Sequence, residues 1–275
     1  MRNRSTHPTL RSERRSTNGG QHELGQNFLI HRPTIRSIVD LVAATGGPIL
    51  EIGAGDGALT APLAGLGRDL TAIDIDEQRI RLLRQRSPNV RVEHADALGH
   101  PLDSPVVVGN VPYHLTTPIL RRLLTRRGWR HAILLTQWEV ARKRASVGGA
   151  TMMTAQSAPW FEFELHGRVP ARHFRPMPSV DGGILTITRR GSPLVDPRDR
   201  GRYDGFVRDM FTGAGGDLAA ILQRSTGLSR RSARMMLKDL GVADNALPRD
   251  LRPVQWAALW REVSSRGGER VSRGR

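Results

Sequence analysis

The chain has 275 residues, 38% of them hydrophobic, which suffices for one α/β domain with a small appendage. It has a formal charge of +16, and all 42 basic residues except Lys143 and Lys238 are arginine, which favours a polyanion such as nucleic acid as its partner. The chain has no cysteine, no closely paired histidines, no long apolar run and no signal-peptide pattern, so we expect a cytoplasmic protein that binds neither metal nor membrane.

The order of predicted elements indicates an α/β fold. Residues 1–20 are basic and polar and predict a disordered arm. Strands are then predicted at Pro48–Ile52, Leu70–Asp74, Val90–His94, Pro105–Gly109 and His131–Thr136. Helices are predicted between and after them at Ala58–Leu66, Glu77–Arg86, Thr117–Thr125 and Trp138–Arg144. This alternation predicts a Rossmann-like, mostly parallel, doubly wound sheet over residues 21–192.

The end of this region and the rest of the chain follow other patterns. Phe161–Val169 and Gly183–Thr188 lack a helix between them, which predicts an antiparallel pair at one edge of the sheet. From about residue 193 only helical patterns occur, at Tyr203–Phe211, Leu218–Gln223, Ser229–Leu240 and Pro253–Val263. We expect a small all-helical RNA-binding domain over residues 193–265, followed by a basic tail at 266–275.

A glycine turn and two acidic residues mark a candidate cofactor site. Gly53-Ala54-Gly55-Asp56-Gly57 lies between a strand and a helix, where backbone can approach a nucleotide-like ligand closely. The turn also fits the dinucleotide pattern G-x-G-x-x-A, so it leaves the cofactor open. Asp74 ends the next strand, where a carboxylate would accept ribose hydroxyls, and Asp96 follows the third strand, in reach of an adenine amine.

The sequence Asn110-Val111-Pro112-Tyr113 favours one reaction. The Asn110 side-chain oxygen and the Val111 backbone carbonyl can accept the two hydrogens of an adenine amine and expose the nitrogen lone pair. Tyr113 can stack on the extruded base. The pattern therefore predicts methyl transfer from S-adenosylmethionine to adenine N6, whereas a strand-end loop fixed by proline is the alternative.

Taken together, the motifs resemble the erythromycin-resistance (Erm) rRNA methyltransferases, within the rRNA adenine dimethylases, over residues 22–263. The resemblance lies in Gly25-Gln26-Asn27-Phe28-Leu29, in Glu51-Ile52-Gly53-Ala54-Gly55, in Asn110-Val111-Pro112-Tyr113, and in Phe174-Arg175-Pro176-Met177-Pro178-Ser179-Val180-Asp181. It implies a class I methyltransferase fold, a monomer, and a target adenine in the peptidyl-transferase loop of 23S rRNA. Methylation there would give resistance to macrolides, lincosamides and streptogramin B.

The resemblance also implies roles for particular residues. Asn27 and Leu29 would line the cofactor, while Gly53, Asp74 and Asp96 would bind its methionine, ribose and adenine parts. Asn110 would serve both the cofactor and the amine. The target base would lie between two aromatic rings, those of Tyr113 and Phe174.

Basic residues are concentrated around the fifth predicted strand. We predict that eight of them contact RNA phosphates: Arg121, Arg122, Arg126, Arg127, Arg130, Arg142, Lys143 and Arg144. A solvated face left by GC-rich codon usage is the alternative interpretation.

Three other functions share part of this pattern. A housekeeping dimethylase of small-subunit rRNA has the same motifs and differs only in its target. A non-catalytic RNA-binding factor of ribosome assembly would not need the intact glycine, acid and Asn-Pro-Tyr positions. A DNA adenine methyltransferase is disfavoured because no separate sequence-reading region is present.

Overall fold

The computed structural model of the protein describes residues 27–272, so the predicted arm at 1–20 and the last three residues lie outside it. The described residues form nine strands: β1 (Phe28–Leu29), β2 (Ile49–Ile52), β3 (Leu70–Asp74), β4 (Arg91–His94), β5 (Val106–Asn110), β6 (His131–Gln137), β7 (Phe161–Val169), β8 (Phe174–Arg175) and β9 (Gly182–Arg189). Seven of them form one sheet in the order β4-β3-β2-β5-β6-β9-β7, and β1 pairs with β8 in a separate antiparallel ribbon.

The sheet confirms the predicted architecture. Strands β2 to β6 run parallel, whereas β9 is antiparallel to both β6 and β7. The central strand β5 is rich in valine and almost wholly buried, as expected when helices cover both faces. Strand β7, at the edge, alternates partly buried and exposed residues between two buried ends. The chain order reverses between β2 and β5, and ligands bind at such a switch point in open α/β sheets.

Ten helices complete the described residues. Six accompany the sheet: α1 (Arg32–Ala43), α2 (Thr60–Ala64), α3 (Glu77–Arg86), α4 (Thr116–Thr125), α5 (Trp138–Arg144) and α6 (Met152–Ser157). Four follow it: α7 (Arg200–Thr212), α8 (Leu218–Thr226), α9 (Arg230–Asp239) and α10 (Pro253–Ser272). Elements α1, α6, β1 and β8 were not predicted. The helix α10 continues past Val263, the predicted end of the last helix, to Ser272. The basic tail at 266–275 stays a prediction.

Two hydrophobic clusters cover the two faces of the sheet. Along β5, Val106 and Val108 belong to one cluster and Val107 to the other, because successive side chains of a strand point to opposite faces. The four C-terminal helices join the Val107 cluster. There the buried Tyr203 donates a hydrogen bond to the Ala155 carbonyl at 3.0 Å, and its ring meets Trp260 edge-on. The helical region is therefore packed on the sheet through a continuous core.

One close backbone contact lies at the switch point, between β2 and β5. Gly109, the penultimate residue of β5, has no side chain, and a Cβ there would overlap the backbone carbonyl oxygen of Ile52 on β2. The absence of a side chain lets the carboxyl ends of β2 and β5 converge.

We expect Gly109→Ala to destabilise the fold by about 2 to 3 kcal/mol, because the clash is with backbone and cannot be relieved by a side-chain rotation. The melting temperature should fall by roughly 5 to 10 °C. Gly191→Ala is the matched control, since a Cβ at this exposed glycine meets no atom within 4 Å. Equal melting temperatures for the two variants would contradict this interpretation of the β2–β5 contact.

Candidate active site

A cavity of about 240 Å³ opens at the carboxyl ends of the parallel strands, beside the switch point. Its walls come from the loops that follow β2, β3, β4 and β5 and from the segment that contains β1. Seven of the residues predicted for the site lie together on its lining: Asn27, Leu29, Gly53, Asp74, Asp96, Asn110 and Tyr113. Among the residues predicted for catalysis or cofactor binding, only Phe174 does not line it.

The glycine turn has little hydrogen-bonding capacity left for a ligand. The N–H groups of Gly53 and Ala54 both donate to the Ile73 carbonyl, at 2.9 and 3.0 Å. The N–H of Gly55 donates to Asp74 Oδ2 at 2.8 Å. A pyrophosphate cradle needs such N–H groups to face the ligand, so the geometry disfavours the dinucleotide cofactor that the glycine pattern alone leaves open.

Asp74 stabilises the turn and lines the cavity at once. It is 5% exposed, and its second oxygen, Oδ1, accepts from the N–H of Asp76 at 2.9 Å. Each carboxylate oxygen can accept a second hydrogen bond, so ribose hydroxyls can still be bound. The predicted ribose contact stays a prediction, and the structure adds a role as a strand-end cap.

Asp96 also combines two features. Its Oδ1 accepts from the N–H of Leu98 at 2.8 Å, which closes the loop after β4. The residue is exposed and lies at the rim of the cavity. Its proposed contact with an adenine amine remains compatible with this position and is not tested by it.

Glu51 is a site residue to which the sequence analysis gave no role. It lies in the middle of β2, is 1% exposed and accepts a 2.6 Å hydrogen bond from Thr60 Oγ1. Burial raises its pKa to about 8, the Thr60 bond opposes this shift, and the neighbouring Asp74 carboxylate adds to it. An acidic residue inside an otherwise apolar, fully buried strand was the signal that could have identified it.

Asn110 ends β5 with its side chain fixed in one orientation. Its Nδ2 donates to the Asn27 backbone carbonyl at 2.7 Å. The reverse orientation would place two oxygens against each other, so this contact defines which atom is nitrogen. The Asn110 Oδ1 is thereby available as an acceptor at the cavity.

Tyr113 lies in a short 3₁₀ turn directly after Pro112 and is partly buried. Its hydroxyl is buried and finds no hydrogen-bond partner among the described residues. Burial, followed by the Asp181 charge, raises its pKa to about 12. The side chain is therefore a neutral phenol whose ring borders the cavity.

Phe174 is buried and does not line the cavity, and its predicted stacking on the base stays a prediction. The ring is 3% exposed and belongs to a hydrophobic cluster, and a Cβ at Gly182 would lie 3.1 Å from its Cζ. Its backbone pairs with Leu29 in the β1–β8 ribbon. To stack on a base the ring would have to leave this packing, because apolar contacts rather than the cavity hold it here.

Phe28 is a second feature that the sequence left without a role. Its ring lies against the glycine turn, where a Cβ at Gly55 would be 2.9 Å from Cε1. The guanidinium of Arg79 lies 4.2 Å from the ring centroid and pairs with Asp56. Phe28 thus lines the cavity, and Arg79 packs on its ring through a cation–π contact.

Two of the eight predicted RNA contacts are engaged within the protein. Arg122 Nη2 donates to the His100 carbonyl at 2.5 Å. Arg142 forms two hydrogen bonds to Glu139, at 3.1 and 3.2 Å. Arg122 is held against the loop after β4, whereas Arg142 forms a solvent-exposed ion pair within α5. Their predicted phosphate contacts stay predictions.

The other six divide between two places. Arg121, Lys143 and Arg144 lie on α4 and α5, and Arg144 Nε and Nη1 are buried without a hydrogen-bond partner in the described structure. Burial, followed by the charge of Arg121, lowers the pKa of Arg144. The remaining three follow α4 at the amino ends of the strands, on the edge opposite the cavity: Arg126, Arg127 and Arg130. Their spacing along the sequence gave no sign that the basic residues form two groups at different places on the sheet.

The described part of the chain has neither a cluster of metal-binding side chains nor a membrane-spanning helix. No group of three or more His, Asp or Glu side chains in it is placed to hold a metal ion. None of its helices combines the length and apolar character needed to span a bilayer.

The N–H groups of the glycine turn are bonded within the protein, and carboxylates line the cavity, which suits a nucleoside cofactor without phosphates. Together with the Asn-Pro-Tyr loop, this is the arrangement expected of an adenine N6-methyltransferase. The chain belongs to the ribosomal RNA adenine dimethylase family, whose model matches residues 17–264. It is an S-adenosylmethionine-dependent rRNA adenine N6-methyltransferase, which confirms the enzyme class, cofactor and fold implied by the resemblance.

Individual relatives agree with this assignment. The mycinamicin-resistance protein MyrB of Micromonospora griseorubida is 49% identical over 255 residues, which cover 90% of this chain and 81% of MyrB. An rRNA adenine N-6-methyltransferase of Corynebacterium diphtheriae is 50% identical over 209 residues, covering 74% of this chain and 83% of the relative. The solved structure of the 23S rRNA methyltransferase ErmE matches with a TM-score of 0.79 and 34% identity, covering 86% of this chain and all (100%) of that one.

The residues present fit S-adenosylmethionine. The ligand carries no phosphate, in keeping with a glycine turn whose N–H groups are bonded internally. The acceptors on the lining, which include Asp74 and Asp96, suit its ribose hydroxyls, its amines and its positive charge. Apolar neighbours such as Ile75 and Leu98 provide contact for a planar ring.

The raised pKa of Glu51 predicts how stability depends on pH. The folded protein binds the Glu51 proton more tightly than an unfolded chain, whose pKa is near 4.5, so the wild type loses stability as pH rises from about 4.5 to 8. Glu51→Gln mimics the protonated acid and escapes this loss. The variant should match the wild type below pH 4.5 and melt at a higher temperature above pH 8. Thermal unfolding of both proteins across pH measures the difference, and a constant difference would contradict a buried, protonated Glu51.

Proposed function

We propose that the protein methylates N6 of one adenine in the peptidyl-transferase loop of 23S rRNA and so confers resistance to macrolides, lincosamides and streptogramin B. The observation that carries the proposal is the fixed amide of Asn110, whose oxygen is left as an acceptor at the cavity. The names of the relatives support the target, since MyrB is a mycinamicin-resistance protein and ErmE a 23S rRNA methyltransferase.

The Asn110–Tyr113 loop activates the amine by positioning it. Asn110 Oδ1 and the Val111 carbonyl accept the two amine hydrogens, which turns the nitrogen toward tetrahedral geometry and exposes its lone pair. When bound, S-adenosylmethionine supplies an electrophilic methyl group on a positively charged sulfur. The loop holds the amine facing that group, and the surplus proton leaves to water after the transfer. Neither a neutral Tyr113 nor a protonated Glu51 has to act as a base.

The cofactor roles follow the lining of the cavity. Asp74 would accept the ribose hydroxyls and Asp96 the adenine amine, while Gly53 leaves room for the methionine part. Asn27 and Leu29 would close the site from the β1 side. The Asn27 carbonyl also orients Asn110, so the same segment serves the cofactor and the amine.

The target base would stack on Tyr113, whose ring borders the cavity. Stacking on aromatic side chains contributes about 1 to 3 kcal/mol per base. Phe174 would complete the sandwich only after a rotation out of its apolar packing, and we propose that base entry drives this rotation. In its present position the ring packs in the same hydrophobic cluster as Leu29 of β1.

RNA near the site would be held by Arg121, Lys143 and Arg144. Arg144 has two buried donors without a partner in the described structure, next to a second guanidinium that repels it. A phosphate between Arg121 and Arg144 would satisfy those donors and remove the repulsion. We further propose that the protein acts as a cytoplasmic monomer, on 23S rRNA either free or in an assembling large subunit.

A labelled methyl-transfer assay tests the proposal directly. The wild type should transfer the label from S-adenosylmethionine to protein-free 23S rRNA, and mass spectrometry should locate it on one adenine of the peptidyl-transferase loop. Label found on small-subunit rRNA would instead identify the housekeeping dimethylase. RNA binding without any transfer would identify a non-catalytic assembly factor.

Asn110→Ala should lower the turnover number about a hundredfold, because it removes an acceptor that acts on the transferring nitrogen. Calorimetry should show that the variant still binds S-adenosylmethionine, and its melting temperature should show that the fold is intact. Near-normal turnover in the folded variant would refute the proposed grip on the amine.

A further inference from the structure

A group of arginines lies on the edge of the sheet opposite the cavity and is called here the amino-edge arginine surface. Its members are Arg126, Arg127, Arg130, Arg189 and Arg200. Hydrogen bonds connect three of them directly. The N–H of Arg189 donates to the Arg130 carbonyl at 2.8 Å, and Arg189 Nη2 donates to the Arg126 carbonyl at 2.7 Å.

Two members of this surface are held rigidly. The Arg189 guanidinium lies 5.1 Å from the centroid of the Trp129 ring and 4.9 Å from that of Phe161. Arg200 lies 5.1 Å from the Trp160 ring centroid and donates to a carbonyl at the end of α4. Side chains fixed in this way lose little conformational entropy when they bind a partner.

The arginines of the surface form no ion pair within the described structure. Glu162 is bound to Arg190 and Asp199 to Arg202, while the half-buried Asp204 interacts with Arg200 through its charge alone. Asp103 packs against Gly128 without forming an ion pair in these described residues. Burial, followed by the charges of Arg200 and Arg127, lowers the pKa of Arg189. The three exposed members, Arg126, Arg127 and Arg130, therefore have guanidiniums without an ion-pair partner in the described structure.

The surface is remote from the methyl-transfer site. Helix α4 begins just after the Asn110–Tyr113 loop and ends at Thr125, on the opposite edge of the sheet. In the neighbouring pair of strands, Asn110 is aligned with Leu135, whereas Arg130 immediately precedes the first residue of β6. Leu135 is five residues along the chain from Arg130, which in a strand corresponds to about 17 Å. A nucleotide in the cavity cannot touch these arginines.

We propose that the amino-edge arginine surface binds the phosphate backbone of a second segment of the RNA substrate, distant in the chain of the RNA from the target adenine; this rests on the proposed function, in which that substrate is rRNA. Exposed guanidiniums without carboxylate partners match phosphates in charge and in bidentate geometry. The surface adds affinity for a long, folded RNA and takes no part in methyl transfer.

The test compares two RNAs and two triple variants. One RNA is protein-free 23S rRNA, and the other is a short hairpin with the target adenine and its immediate neighbours. The test variant replaces Arg126, Arg127 and Arg130 with Gln, since these three are exposed and their side chains make no hydrogen bond in the described structure. The control variant replaces Arg36, Arg91 and Arg208, three exposed arginines scattered over α1, β4 and α7, with the same loss of charge.

Affinity is measured by fluorescence titration at several salt concentrations, with melting temperatures as a check on folding. For 23S rRNA, the slope of log affinity against log salt should become shallower by about 2 to 3 in the test variant, because three phosphate contacts are lost. The control variant should keep the wild-type slope. On the hairpin, the wild type and both variants should show the same affinity and the same methylation rate.

Two results would overturn the proposal. A test variant that behaves like the control on 23S rRNA would show that these arginines contact no RNA. An equal loss on the hairpin and on 23S rRNA would show that they act at the target segment. Failure of the proposed function gives a different result, because the wild type would then methylate neither RNA, whatever the salt slopes of the variants.

Discussion

The glycine turn after β2 is closed by hydrogen bonds to the end of β3, and the chemistry of the cavity depends on this closure. Its N–H groups donate to the Ile73 carbonyl and to the Asp74 carboxylate, so buried donors are satisfied without a ligand. What faces the cavity is therefore a set of acceptors. Acceptors suit a ligand with hydroxyls, amines and positive charge. In the proposed mechanism the Asn110 oxygen would act on a second amine, that of the target adenine.

The sequence predicted the sheet well because the information was local. Strands β3 and β7 and helices α3 and α5 have the predicted bounds, since apolar runs and helical periods end at residues that cannot continue them. Strands β1 and β8 have two residues each and exist only through their pairing with each other, so no local pattern marks them. The protonation of Glu51 and the burial of Phe174 likewise depend on neighbours that are distant in the chain.

Composition predicted a polyanionic partner and gave little guide to which arginines meet it. Arg121 and Arg122 are adjacent in sequence, yet one is exposed and the other is tied to the His100 carbonyl, because neighbouring positions on a helix face different ways. Arg126 belongs to the same run but lies beyond the end of α4. Because α4 runs from the carboxyl ends of the strands to their amino ends, arginines that are close in sequence lie on two separate surfaces.

The β1–β8 ribbon has a thermodynamic consequence. Leu29 lines the cavity and pairs by backbone with Phe174, the residue proposed to stack on the base after it rotates. A ligand that shifts one strand of so short a ribbon must shift the other. If base entry moves Phe174 as proposed, occupancy of the two substrate sites is linked through the ribbon, and linkage is reciprocal: the factor by which cofactor changes the affinity for RNA equals the factor by which RNA changes the affinity for cofactor.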